Sequence, residues 1–505
     1  MTLPTIFNAR LFLGALATTL AIGTASAETL TVAVNALPAS RGNPFAAGSG
    51  TGWLSWTPIF DTLTTVNEKG ELRPALAQSW KNTAPTTWQF TLKPGLTFDN
   101  GESFDANAAA WLLNYLRQDA AGKAFVAANF IDTVTSAKVL DAQTVEVTTS
   151  KPDVVLPTKI SAIFMVAPKA WSEKGPGDFS ANPSGTGAFK VTNWGPEKVQ
   201  FVARPDSWRK PKVEGMETIS LPDQSARIQA LQSGQVHLAT ELSLDSVKAI
   251  EAAGHRADVA PSSRSSALQF ISSGGDTPFK DVRVRQALNY AVNRDAIVQG
   301  IYGGRVAQSS QGATPITFGY VPGLKPYAYD PAKAKQLLTE AGYAGGFAMV
   351  VETMTNAAAG DIDTLQQVEL DLQKLGIRME LKPVTNADWV KKFLDTSWEG
   401  PAFGMAFNAA PTLDANRFFA FNSCVKPKAY YCDESIMPTV QQAEGEFDLE
   451  KRRALLQTAL RRYHDQAHAL YLVELVEITG VHRRVQGFKN VIKTLDYDAM
   501  SLAAR

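Results

Sequence analysis

The chain has 505 residues, and its 49 basic and 49 acidic residues give a formal net charge of zero at pH 7. A near-neutral chain without a basic run has no electrostatic footprint for nucleic acid or for an acidic membrane surface, so we expect no nucleic-acid partner. The length exceeds what one hydrophobic core usually supports, which predicts two or more lobes.

The N-terminus carries the pattern of a secretory signal peptide. Arg10 precedes a short apolar run, Leu11 to Gly23, and Ala25-Ser26-Ala27 supplies a cleavage site. A membrane anchor is the alternative, but a spanning helix needs roughly 20 apolar residues. No cysteine lies near the site to carry a lipid. We therefore expect cleavage after Ala27 and a protein free in the periplasm.

The first half of the mature chain alternates strand patterns with one clear helical pattern. A loop rich in Gly, Pro, Asn and Ser runs from Asn35 to Gly52, and a second Gly/Pro/Ser-rich segment, Trp171 to Gly187, predicts a connection. Apolar residues at helical spacing predict a helix from Asn107 to Leu116. The predicted strands are Thr29–Val34, Trp88–Leu92, Thr144–Thr148, Ala188–Thr192 and Val199–Ala203.

The second half is more helical. Asp281 is a predicted N-cap for a helix from Val282 to Gln299, and Asp330-Pro331 begins a helix that ends at Gly342. Further elements are a helical stripe at Leu365, Val368, Leu372 and Leu375 stopped by Gly376, a strand Ile377–Leu381 and a charged amphipathic helix Glu450–Tyr463. Interleaved strands and helices predict an α/β fold.

The only two cysteines, Cys424 and Cys432, lie close together. In an oxidising compartment such a pair most simply forms a local disulfide. A metal pair or a redox site is the alternative, but the spacing is not C-x-x-C and no histidine is near.

Two histidines have the spacing of a zinc-binding pair. His464 and His468 stand at i and i+4, the spacing that places both on one helical face in zinc proteases. That motif requires a glutamate after the first histidine, and Asp465 stands there instead. A secreted zinc hydrolase that uses this pair is therefore an unfavoured alternative, and we expect no metal, no cofactor and no catalytic residue.

Four blocks together resemble one family, the periplasmic solute-binding proteins of ABC importers for peptides, opines and nickel chelates (family 5). The blocks keep the family's order, and they include the motifs Gly95-Leu-Thr-Phe98-Asp-Asn-Gly101 and Asp281-Val-Arg283-Val-Arg285-Gln-Ala287. They run from Pro58 to Ala106, Pro183 to Trp208, Phe279 to Arg294 and Tyr329 to Tyr343. The cysteine pair also resembles a disulfide loop of dipeptide-binding members.

The resemblance implies a two-lobed periplasmic binding protein fold, type II-like, with an extra subdomain and a hinge between the lobes. We place lobe I at 28–58, 185–267 and 480–505, and the subdomain inserted in it at 59–184. Lobe II takes 268–479, after the signal peptide at 1–27. The crossings between the lobes are expected near Leu268–Gly275 and Glu474–His482.

The resemblance also points to ligand-binding residues in lobe I. The loop after the first strand begins at Asn35, whose amide is both donor and acceptor. Trp53 and Trp56 in the same region offer flat apolar faces with an N–H donor. Packing within the lobe is the alternative role for both tryptophans.

In lobe II, Trp389, Phe407 and Asn408 fall at positions expected to meet the ligand. Dipeptide-binding members carry an aspartate for the peptide's amino terminus where this chain has Ala410. Two further residues leave alternatives open: Asp414 could replace that carboxylate or cap the next helix, and Arg417 could bind a ligand carboxylate or form a salt bridge. In the inserted subdomain, the segment Ser161–Phe164 lacks the arginine of nickel-chelate members.

The expected function is that of a solute-binding component which captures a peptide, an opine or a related conjugate and delivers it to an ABC permease in the inner membrane. Lobe closure couples the two steps, because a ligand that contacts both lobes favours the closed form. We expect a monomer. A ligand-sensing partner of a membrane receptor, built on the same fold, is the alternative within the family.

Overall fold

The computed structural model describes Met1 and residues 29–46, 50–354, 360–492 and 494–504. The predicted signal peptide lies outside the described residues. Among the residues that are described, no helix has the length and apolar character needed to cross a membrane.

Strands and helices alternate along the chain. The strands are β1 Thr29–Val34, β2 Thr64–Val66, β3 Leu72–Pro74, β4 Ala77–Ala84, β5 Thr87–Leu92, β6 Leu96–Thr97, β7 Ser103–Phe104, β8 Val134–Asp141, β9 Thr144–Thr149, β10 Phe189–Trp194, β11 Lys198–Ala203, β12 Gly215–Ser220, β13 Leu238–Ala239, β14 Arg256–Phe270, β15 Ala348–Met354, β16 Arg378–Val384, β17 Ala402–Asn408, β18 Ala469–Val481, β19 Val485–Gln486, β20 Asn490–Val491, β21 Thr494–Leu495 and β22 Ser501–Leu502. The α-helices are α1 Gly50–Trp56, α2 Ala106–Gln118, α3 Ala120–Lys123, α4 Leu156–Ile160, α5 Pro168–Ala181, α6 Gln224–Gln232, α7 Ser246–Ala252, α8 Val282–Ala291, α9 Arg294–Ala296, α10 Pro331–Glu340, α11 Asp361–Gln373, α12 Asn386–Asp395, α13 Ala415–Asn422, α14 Met437–Gly445 and α15 Leu449–Asp465. Short 3₁₀ or π-helical turns lie at Val126–Ile131, Pro278–Lys280, Ile297–Ile301, Glu434–Ile436 and Tyr497–Ala499.

Most sequence-predicted elements are confirmed, because local signals specify them. The carboxylate of Asp105 accepts hydrogen bonds from the first-turn N–H groups of α2. Asp330 caps α10 by accepting from the Lys333 N–H, and Pro331 occupies the first turn. The predicted strands correspond to β1, β5, β9, β10, β11 and β16.

Two predictions were wrong. The segment Trp171 to Gly187, predicted as a connection, is largely helical in α5. Gly175 interrupts that helix with φ 71° and ψ 166°, a conformation that glycine adopts readily, and buried Trp171 and Phe179 anchor the two sides. The helix predicted from 282 to 299 is broken at Val292, which is extended (φ −95°, ψ 124°).

One ten-stranded sheet runs through the molecule in the order β10-β11-β12-β1-β13-β18-β14-β17-β15-β16. By the predicted boundaries, the strands from β10 to β13 fall in lobe I, and β17, β15 and β16 fall in lobe II. The two longest strands, β14 and β18, pair antiparallel in the middle and extend into both lobes. Their pairing shifts register around Ser265, between Pro261 and Ala267, so the sheet is irregular where one lobe gives way to the other.

Each lobe has its own apolar core. One cluster joins β1 and β11 to the four-stranded sheet β4-β5-β9-β8 and helix α2, and a second lies around α6 and α7. In lobe II, one cluster contains α8, α10 and α11, and another contains α13, α14 and α15. The residue boundaries of the lobes, the inserted subdomain and the crossings stay predictions.

The predicted disulfide is present. Cys424 and Cys432 are joined, with their Cα atoms 4.6 Å apart, in the segment between α13 and α14. The bond closes a short loop at the surface of lobe II.

Candidate functional site

A cavity of about 1100 Å³, here called the interlobe cavity, lies between the lobes. Lobe I contributes Asn35 and Glu241, which follow the carboxyl ends of the parallel strands β1 and β13. Lobe II contributes Asn408, the last residue of β17, and Asp361, the first of α11. Strands β14 and β18 form the wall between them. Ligands of α/β sheets bind beyond the carboxyl ends of parallel strands, which is where this cavity lies.

A second cavity, of about 290 Å³, extends into lobe II. We call it the aromatic cavity because its lining includes Trp389, Phe393, Phe407, Phe418 and Phe421. The two cavities share four lining residues, which we call the mouth: Arg264, Asp361, Asn408 and Arg417. The space available to a ligand is therefore a broad chamber with one apolar side arm.

Arg417 projects from α13 to the mouth. Its Nε–H donates to the backbone carbonyl of Asn408 at 3.1 Å, and its guanidinium lies 5.1 Å from the centre of the Phe421 ring. Desolvation by the surrounding walls lowers the pKa of Arg417. Among the described residues, no carboxylate lies within ion-pair distance of this guanidinium. The mouth thus presents a partly buried cation to the cavity.

Carboxylates line other parts of the interlobe cavity: Glu241, Glu477 and Asp363. The Glu477 side chain opens to the cavity, but desolvation by the surrounding walls raises the pKa of its carboxyl. The negative charge of Glu241 adds to this rise, and the positive charge of Arg264 opposes it. The carboxylate of Glu241 accepts a hydrogen bond from the backbone N–H of Asn35 at 3.1 Å. The chamber therefore suits a ligand that carries both positive and negative groups.

Six of the predicted site residues reach the cavities. Asn35 and Trp53 line the interlobe cavity, Trp389 and Phe407 line the aromatic cavity, and Asn408 and Arg417 line both. The indole N–H of Trp389 donates to the carbonyl of Gly404 at 3.0 Å, which fixes the ring. The side-chain carbonyl of Asn408 accepts from the Ser263 hydroxyl at 3.1 Å and from the Ala410 N–H at 2.9 Å.

The structure does not bring Trp56 or Asp414 to either cavity. Trp56 is fully buried, and its indole N–H donates to the carbonyl of Arg41 at 2.7 Å. Asp414 caps α13 and forms a buried two-point ion pair with Arg452, with N–O distances of 2.7 and 2.8 Å. Both side chains are held by structural partners and not by a position in the cavity lining.

Two departures from the family pattern have clear positions. Ala410, which the sequence resemblance aligns with the aspartate of dipeptide-binding members, lines the interlobe cavity. Phe164 is buried, and its ring packs 4.8 Å from that of Trp53. The Ser161–Phe164 segment lines neither cavity.

His464 and His468 do not share a helical face, which corrects the premise of the zinc alternative. Helix α15 ends at Asp465, so His468 lies beyond it. The Nδ1 of His464 lies 2.8 Å from the Ser310 carbonyl, and the Nδ1 of His468 lies 2.7 Å from the Tyr471 hydroxyl. Within the described ranges, no cluster of three His, Cys, Asp or Glu side chains could hold a metal ion.

Sequence reasoning missed five charged lining residues, namely Arg264, Glu477, Glu241, Asp361 and Asp363. Glu241 stands shortly after the short strand β13, which was not predicted, and Asp361 begins α11 four residues before the predicted helical stripe at Leu365. An acidic residue in the first turn of a helix is the one local signal here. Arg264 and Glu477 lie within long strands, and only the pairing of β14 with β18 brings them to one wall.

Two lobes that share one sheet, with a cavity lined by both, define a two-lobed ligand-binding protein. The family model for bacterial extracellular solute-binding proteins, family 5 (middle), matches residues 71–429. The chain belongs to this family, and it is a solute-binding protein. Neither the family nor the relatives described next support the zinc hydrolase alternative.

The relatives are binding proteins. A glutathione-binding protein of Pectobacterium atrosepticum is 26% identical over 368 residues, which cover 65% of this chain and 70% of that protein. A dipeptide-binding protein of Escherichia coli is 24% identical over 494 residues, covering 88% and 89%. Among solved structures, HbpA2 from Haemophilus parasuis has a TM-score of 0.83 at 20% identity, covering 94% of this chain and 100% of that one. The predicted fold class is confirmed.

Proposed function

We propose that this protein is exported to the periplasm by a cleaved signal peptide, captures a small peptide-like or opine-like ligand between its lobes, and delivers it to an ABC permease in the inner membrane. It acts as a monomer that is not lipid-anchored, and it requires no cofactor and performs no catalysis. The observation that carries the proposal is the interlobe cavity, whose walls come from both lobes and from the two strands that join them.

Capture follows from that geometry. A ligand in the interlobe cavity gains contacts from both walls only when the lobes are closed, so it stabilises the closed form by its differential affinity. Hinge closure of this kind is established for periplasmic binding proteins. The irregular pairing around Ser265 supports a hinge at the centre of β14 and β18, because a disrupted ladder bends more easily.

The ligand classes come from the relatives and from the lining. The names of two relatives specify glutathione and dipeptides, both of which combine amines with carboxylates. The lining has acidic groups at Glu241 and Glu477 and a cation at Arg417, which matches such mixed charge. Ala410 removes the family's aspartate from the wall, which argues against the amino-terminal contact of dipeptide-binding members.

The test is to purify the protein from its native host without denaturation and to identify bound small molecules by native mass spectrometry. We expect a one-to-one complex, and an N-terminus at Glu28 in the same spectrum. A thermal-shift screen of dipeptides, glutathione and opines complements it, because a ligand at 100 times its Kd stabilises by about 2.7 kcal/mol. A protein that never carries a small molecule, and that no compound stabilises, contradicts the proposal.

Two variants test the position of the site. Trp389→Ala and Asn408→Ala should weaken binding of a compound found in the screen, because both side chains line the cavities. Trp111→Ala is a control for loss of a partly buried indole, because Trp111 lies in α2 and lines neither cavity. Unchanged affinity in both site variants would place the ligand elsewhere.

A further inference from the structure

Charge is divided unevenly around the site. The mouth carries two guanidinium groups, of Arg264 and Arg417, and one carboxylate, of Asp361. The rest of the interlobe cavity carries Glu241, Glu477 and Asp363 but no described arginine or lysine in its lining. The entrance to the aromatic cavity is therefore the positive end of the site.

The guanidinium of Arg417 has N–H donors that are available to a ligand. Its Nε–H is used by the Asn408 carbonyl, while its terminal NH₂ groups donate to none of the described residues. An arginine presents five N–H donors in a planar fork that matches a carboxylate. Arg417 is only partly exposed and has no carboxylate within ion-pair distance among the described residues, so an anionic ligand group at this point gains from both the charge and the geometry.

The aromatic cavity has the size of a side chain. Its volume of about 290 Å³ is roughly twice that of the 150 Å³ cavity that accommodates benzene in an engineered protein core. Leu365 and Met405 complete its apolar lining beside the aromatic rings. A ring or a branched aliphatic group that enters from the mouth would leave water for apolar walls.

We propose that the ligand is a carboxylate with a bulky apolar or aromatic arm close to the carboxyl group. Arg417 binds the carboxylate at the mouth, and the arm fills the aromatic cavity. A cationic group elsewhere on the molecule faces Glu241 and Glu477. The proposal rests on the proposed function. It states that lobe II binds the anionic end of the ligand. Ala410 is consistent with this orientation, because an alanine offers no carboxylate to a ligand ammonium group.

The experiment uses isothermal titration calorimetry with four probes: alanyl-phenylalanine, its C-terminal amide, its N-acetyl derivative and alanyl-glycine. A charge-assisted hydrogen bond is worth about 1.5–3 kcal/mol, so amidation should weaken binding roughly 10- to 100-fold and more than N-acetylation does. Loss of the ring in alanyl-glycine should cost roughly 10-fold or more. A larger loss on N-acetylation than on amidation would overturn the assignment, and so would failure of alanyl-phenylalanine to bind.

Variants of the protein isolate the role of the guanidinium. Arg417→Gln should lose roughly 10-fold or more in affinity for alanyl-phenylalanine but little for its amide, and the unliganded variant should melt no earlier than the parent. Arg378→Gln is the matched control, because this exposed arginine begins β16 at the end of the strands opposite the mouth. Equal losses for acid and amide, or an equal loss in the control, would remove Arg417 from recognition.

The experiments distinguish failure of this proposal from failure of the proposed function. If native mass spectrometry detects a small molecule that Arg417→Gln binds as tightly as the parent, solute capture stands and the carboxylate assignment falls. If no small molecule binds at all, both fall.

Discussion

Glu474 provides a stability test of the strand that joins the lobes. It lies in β18 opposite Ser265, at the irregular part of the pairing with β14. Desolvation raises the pKa of its carboxyl from 4.5 to about 7, and a hydrogen bond from the Tyr320 hydroxyl partly opposes that rise. The ionised form is therefore less stable in the folded protein than in the unfolded chain.

The sign and size follow from this pKa. An acid whose folded-state pKa is raised contributes full stability below about pH 4.5, and that stability is lost as the pH rises to about 7. At about 1.36 kcal/mol per pH unit, the loss approaches about 3 kcal/mol, and solvent screening of a partly exposed group reduces it to about 2 kcal/mol. Glu474→Gln resembles the protonated form, so its advantage should be absent near pH 4.5 and largest above pH 7.

The assay is differential scanning calorimetry of parent and Glu474→Gln at pH 5 and pH 8. We expect melting temperatures within about 1 °C at pH 5 and a variant that melts roughly 2–4 °C higher at pH 8, the range for a chain of this length. Tyr320→Phe is the control: loss of the hydroxyl donor should destabilise more at pH 8 than at pH 5. A Glu474→Gln variant that is less stable than the parent by the same amount at both pH values would refute the reasoning.

Three further predictions concern stability. Asp414→Ala leaves the buried charge of Arg452 unpaired and should cost about 3–5 kcal/mol in urea unfolding. Reduction of the Cys424–Cys432 bond should cost roughly 2–3 kcal/mol in the same assay, because the closed loop is short. Burial lowers the pKa of His468 to about 3. The neutral imidazole therefore contributes its full stability above about pH 6.5, and this contribution declines at lower pH. His468→Gln should reduce the fall in melting temperature between pH 7 and pH 5. A pH slope identical to that of the parent would contradict this last prediction.

Local patterns predicted the elements that have their own start and stop signals. The strand β1 alternates, and Asp330-Pro331 begins α10, so neither depends on distant residues. The break at Val292 and the helix through Trp171 were not predictable in this way. In both cases tertiary packing overrides the local pattern, since the buried rings of Trp171 and Phe179 hold a helix on either side of a glycine.

The site was predictable only in part, for a topological reason. Asn408 and Trp389 were found through the family resemblance, and both line a cavity. The charges that set the polarity of the chamber come from sequence-distant strands. Arg264 and Glu477 are more than two hundred residues apart, and no local pattern specifies the pairing of β14 with β18 that places them on one wall.

A small molecule bound between the lobes should hold them together. Small-angle X-ray scattering tests it most directly, with protein stripped of small molecules by unfolding and refolding and then supplied with the material released from the native protein. We expect a smaller radius of gyration after addition, because the lobes close on their ligand. An unchanged scattering curve at saturating occupancy, with occupancy shown by native mass spectrometry, would contradict it.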